Sequence, residues 1–162
     1  MLRVLTLILL LGGCAAPYDY AEDTDFSRFK TVALAPKMEQ DSLDGARIAA
    51  AAEALLPTRG LAVTTPEQAS LWLNYRLDEN LRLLTTMPNM FGRSGFWDEE
   101  RVYGARREWH LVLWLEQPDS GRVLWKSRHP NAFPGDGVRG TARSDNITQQ
   151  VAELLENYPP EQ

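Results

Sequence analysis

The chain has 162 residues, a formal charge of −5 and a single cysteine. That length carries one domain with a sizeable core. An acidic chain without a basic run excludes a phosphate-contacting nucleic-acid binder, and one thiol excludes a disulfide framework.

Residues 1–13 read MLRVLTLILLLGG. Arg3 and the free amine form a positive start, and Val4 to Leu11 form an apolar core too short to span a bilayer. Leu11-Gly12-Gly13-Cys14 resembles the bacterial lipobox. There, small residues precede the cleavage point and the cysteine thiol takes a diacylglycerol. The sequence therefore predicts a signal peptide over 1–13 and lipidation at Cys14, with the lipid as the covalent group and no other cofactor. More than one acyl chain gives stable anchoring where a single chain gives marginal binding. Ala15 follows the cysteine, and the absence of Asp there points to the outer membrane facing the periplasm. The expected partners are the lipid bilayer, through the acyl anchor, and an envelope protein.

Residues 14–24 are polar and read as a lipidated tether, leaving 25–162 as the domain. Thr31 to Pro36 is a short apolar strand stopped by its proline. Asp41 to Asp44 offers capping residues for a helix over Ala46 to Leu56, with Ile48, Ala51, Ala52, Leu55 and Leu56 on one face, ending at Pro57 and Gly60. Gly60 to Val63 is either a short strand or the exit from that helix. In Ala69 to Leu77, Leu71, Leu73, Tyr75 and Leu77 alternate with Trp72, Asn74 and Arg76, the pattern of a half-buried strand that Leu81 to Leu84 would prolong. Residues 85–107 contain glycine and proline without periodicity. Trp109 to Leu115 and Arg122 to Lys126 form a hairpin around Pro118-Asp119-Ser120-Gly121. After a loop over 130–143, Asp145-Asn146 would cap a helix carrying Ile147, Val151, Leu154 and Leu155 on one face. The expected fold is α+β: a mostly antiparallel sheet of about four strands with two helices on one face.

Short blocks along the mature chain resemble a bacterial lipoprotein family, the domain-of-unknown-function family 4136. They are Tyr18-Asp19, Asp25-Phe26-Ser27, Phe29-Lys30-Thr31, Arg47-Ile48, Gly60-Leu61, the alternating leucines from Leu71, Val123-Leu124-Trp125, and Tyr158-Pro159-Pro160. Ser70 departs from the family pattern, as do Trp109-His110, and 85–107 matches no part of it. The resemblance implies an anchored envelope protein with no established activity.

Residues that carry chemistry are few. His110 sits in an alternating strand and His129 beside Pro130, neither with a metal-ligand partner at short spacing, so no metal site is expected. No Gly-x-Ser-x-Gly occurs, Gly92 to Gly95 and Gly135 to Gly137 lack phosphate-loop context, and Asp98-Glu99-Glu100 reads as a solvated acidic run. No catalytic residue is therefore assigned. The candidate binding loop is 87–97, where Met87, Met90, Phe91, Phe96 and Trp97 accompany Arg93 in a segment rich in glycine. Methionine and aromatic residues are enriched at contact surfaces. The sequence points to a binding or envelope-assembly module without catalysis. The alternative is a membrane-anchored hydrolase acting on envelope material.

Overall fold

The computed structural model describes residues 17–85 and 102–160. Cys14 and the 87–97 loop lie outside the described residues. Two helices cover one face of a single six-stranded sheet with strand order β1-β6-β5-β4-β2-β3. The strands are β1 (Tyr18–Tyr20), β2 (Thr31–Leu34), β3 (Ala62–Val63), β4 (Leu71–Thr85), β5 (Val102–Glu116) and β6 (Val123–Arg128). The helices are α1 (Leu43–Leu55) and α2 (Gly140–Leu155).

The α+β class and both helices agree with the sequence reading, while the strand count and part of the pairing differ. β1–β6, β6–β5 and β5–β4 are antiparallel, but β4–β2 and β2–β3 are parallel. The parallel half follows from connectivity. β2 passes through α1 and returns as β3 beside itself, and such a crossover delivers strands in the same direction. The additional edge strand is β1, inside the segment read as tether: Tyr18 pairs with Ser127 and Tyr20 with Trp125.

The odd-numbered positions of β4 and β5 face the helices. Leu71, Leu73, Leu111, Leu113 and Leu115 meet Ile48, Ala52, Ile147, Val151, Leu154 and Leu155 in one core. Phe26 and Trp125 both stand edge-on to Tyr158, at centroid distances of 5.8 and 5.7 Å, and close the end of the core near β1. Ser42 caps α1 by accepting the Gly45 amide at 2.9 Å, while Glu39 accepts the Ser42 amide and hydroxyl. A Cβ on Gly45 would meet the Glu39 carbonyl oxygen at 2.8 Å and the Tyr75 hydroxyl at 2.9 Å, so only glycine fits here. α2 starts at Gly140, five residues before the expected capping pair, with no side chain capping its first turn.

The largest departure is β5. It begins at Val102, not near Trp109, and its register with β4 runs from Trp72↔Glu116 to Thr85↔Val102. β6 pairs with β5 only from Val112 onward, and β2 reaches only Leu73 of β4. Beyond these limits β4 and β5 continue as a two-stranded ribbon.

Candidate functional site

Two features could meet a partner: the ribbon, and a cleft at the N-terminal ends of the helices.

Along the distal ribbon the alternation persists after the helices have ended. Leu81 lies opposite Arg107 and Leu83 opposite Ala105 on the helix-side face; Arg82 lies opposite Arg106 on the other. Leu81 is 59% exposed, Leu83 56%, Val102 57% and Tyr103 68%. A two-stranded ribbon is marginal in water by itself. Here β4 and β5 are held by the sheet at one end and by cross-strand ion pairs, Arg107 with Glu79 at 3.2 Å and Arg82 with Glu108 at 3.7 Å. Such exposed pairs contribute little each. The ribbon thus displays large apolar side chains that it does not bury itself.

The cleft has two contiguous lobes sharing Asp44, Asp136 and Arg143, one of about 490 Å³ and one of about 590 Å³. Arg143 organises both. Its guanidinium grips Asp44 through two bonds of 2.7 and 2.6 Å, donates to the Gly135 carbonyl at 2.8 Å and lies 5.6 Å from the Phe133 ring centre. Arg47 adds a third bond to Asp44, at 2.9 Å. The Arg143 guanidinium, aided by Arg47, holds the Asp44 carboxyl below the ordinary carboxylate range. These charges are spent on one another, clamping α1, α2 and the 133–139 loop together.

Both histidines have structural partners. His110 donates from Nδ1 to the His129 carbonyl at 3.0 Å. The His129 Nε2 stands 2.7 Å from a Glu153 carboxylate oxygen, and its Nδ1 accepts the Asn131 amide at 3.2 Å. The His129 ring, together with Gln149, lowers the Glu153 pKa. These partners are carbonyl, amide and carboxylate groups, with no hydroxyl among them. Among the described residues no three His, Cys, Asp or Glu side chains gather where they could hold a metal ion, and no helix is long and apolar enough to cross a membrane.

The face opposite the helices carries Trp72, Trp114 and Arg76. Arg76 lies 5.8 Å from the Trp114 ring centre and Trp114 donates from Nε1 to Glu116 at 2.9 Å. Trp72 donates to the Pro66 carbonyl at 3.0 Å. These polar ends are thus engaged within the chain.

Sequence reasoning placed the candidate contact surface at Met87, Met90, Phe91, Arg93, Phe96 and Trp97, which lie outside the described residues. It anticipated the β4 arm as a prolongation through Leu81 to Leu84, but not the β5 arm that pairs with it. The alternation of Leu81 and Leu83 was the available signal, and the missing partner strand hid its meaning.

The described residues form a helix-backed sheet from which the β4 and β5 arms project. The chain belongs to the domain-of-unknown-function family DUF4136, whose model matches residues 16–160. No curated protein matches it in sequence. Among solved structures it is similar to a PDZ domain protein from Parabacteroides distasonis, at 16% identity and a TM-score of 0.55, covering 91% of this chain and 36% of the other. The chain thus spans about a third of that relative's length. It is also similar to a PelC dodecamer from Paraburkholderia phytofirmans, at 16% identity and a TM-score of 0.50, covering 91% of this chain and 99% of the other. At such identities the likeness concerns the fold alone.

Proposed function

We propose that the chain is an outer-membrane-anchored periplasmic lipoprotein acting as a binding or envelope-assembly module, held by lipid on Cys14 and working without catalysis. The observation that carries the reading is the ribbon, whose Leu81, Leu83 and Tyr103 stand more than half exposed. Large apolar side chains clustered on one projecting element mark an interaction surface more often than a solvated one. The cleft supports the hydrolase alternative less well, because its Asp44 and Arg143 neutralise each other and both histidines are tied to structural partners.

A photoreactive side chain placed at Leu83 tests this in growing cells. Illumination should attach the chain to a lipid or protein, whereas the same group at exposed Glu53 on α1 should give no adduct. Equal, background-level labelling at the two positions would refute the ribbon as a contact surface.

A further inference from the structure

The direction of the ribbon relative to the chain's entry point identifies what it meets. β1 runs antiparallel to β6, and the pairing continues one residue upstream, where the Pro17 carbonyl accepts the Arg128 amide at 3.0 Å. Arg128 is level with Val112, and Val112 with Arg76. Pro17 therefore sits in the row of Arg76. The chain arrives at this row from the side toward which the ribbon projects.

Two lengths then decide the geometry. From Arg76 to Thr85 the ribbon advances nine residues, about 30 Å at the rise of a strand. Cys14 lies three residues before Pro17, and three residues span at most about 11 Å. The end of the ribbon thus extends roughly 20 Å further along the strand direction than the lipidated cysteine can reach. A bilayer holding Cys14 cannot lie across that path without meeting the ribbon. The sheet must tilt until the ribbon rests along the surface, or the ribbon must enter it.

The side chains favour resting along it. Leu81 and Leu83 share one face, and Tyr103 adds an aromatic ring of the amphipathic kind enriched at membrane interfaces. The opposite face carries Arg82 and Arg106, while Arg107, 75% exposed, stands opposite Leu81 on the leucine face and is paired there with Glu79. Arginines bury their stems and keep their guanidinium heads among phosphates.

Resting on the reading of Cys14 as the lipid site, we propose that the distal β4–β5 ribbon is a second membrane contact, docking Leu81, Leu83 and Tyr103 into the headgroup–acyl boundary of the bilayer that holds the anchor. The ribbon converts a flexible lipid leash into a two-point attachment that fixes the domain's tilt.

Cys14 is the only cysteine, and acylation consumes its thiol, so an engineered cysteine in the full-length lipidated protein can be spin-labelled alone. In vesicles of phosphatidylethanolamine and phosphatidylglycerol, a nitroxide on Leu83→Cys should collide several-fold less with an aqueous nickel chelate than one on Glu53→Cys. Its collisions with membrane-dissolved oxygen should rise. Equal aqueous accessibility at the two positions would overturn the proposal. Protection that disappears as the protein is diluted with lipid would also overturn it, since a second copy would then be the cover. Intact-mass measurement of the same sample reads acylation of Cys14 separately. An acylated protein with a water-exposed label at position 83 defeats the docking and leaves the anchor standing. A protein without acyl chains defeats the anchor itself.

Discussion

Replacing Arg143 by alanine tests whether the clamp between the helices is a principal source of stability. Arg143 and Asp44 are 99 residues apart and their side chains are only 13% and 26% exposed, so solvent screens the pair little. The change removes a bidentate charge-assisted contact, and hydrogen bonds to charged groups contribute about 1.5–3 kcal/mol. It also removes the stacking on Phe133, about 0.5–1 kcal/mol. Arg47 remains on Asp44 and limits the cost of the stranded carboxylate. The expected destabilisation is about 2–4 kcal/mol, or roughly 5–15 °C in Tm for a domain of this size. Thermal unfolding followed by circular dichroism measures it. The deficit should depend on acid. Because Arg143 lowers the Asp44 pKa, the pair's contribution is fully present above the unfolded-state value of about 4 and fades as the pH falls through the lower folded value. Wild type and Arg143→Ala should therefore converge toward pH 3, and Arg143→Lys should lie between them at pH 7. A variant melting within a degree of wild type at pH 7 would refute the clamp. A deficit undiminished in acid would assign the effect to packing against Phe133.

Gly45→Ala should lower Tm, although the same change inside an ordinary helix gains about 0.8–1 kcal/mol, because the new Cβ would lie 2.8 Å from the Glu39 carbonyl oxygen; a rise in Tm would mean that the α1 entry yields readily. Leu155→Ala empties a fully buried position between α2 and the sheet and should cost about 2–5 kcal/mol in chemical denaturation. Cys14→Ser should abolish acylation and release the protein from washed membranes. Mass spectrometry of the wild type reporting an unmodified N-terminus would remove the basis of the anchor.

Elements whose pattern is complete within themselves were legible in the sequence. α1 has a serine cap and a one-sided run of Ile48, Ala51 and Ala52, and β4 alternates without interruption through Leu77. Elements that owe their state to distant partners were not. β1 is a three-residue polar edge that is a strand only because β6 pairs with it. The first half of β5, Val102 to Glu108, contains Gly104 and the Arg106-Arg107 pair, a composition of weak strand propensity, and it is held by its ladder with β4. α2 begins at Gly140 because Arg143 fastens its first turn to Asp44 and to the Gly135 and Val138 carbonyls, an arrangement no local cap announces. The candidate site followed the same division. Exposed leucines in the ribbon were visible as alternation, but their exposure depends on where β6, β2 and the helices stop.

The pairing of β1 with β6 also orders events in time. Tyr18 is among the first residues of the domain to emerge during synthesis, yet its partner Ser127 comes near the end. The β4–β5 ladder can zip as soon as residue 116 is available, since its strands are neighbours in the chain, whereas β1 must wait with its backbone unpaired until β6 has docked on β5. Folding therefore ends where the chain begins.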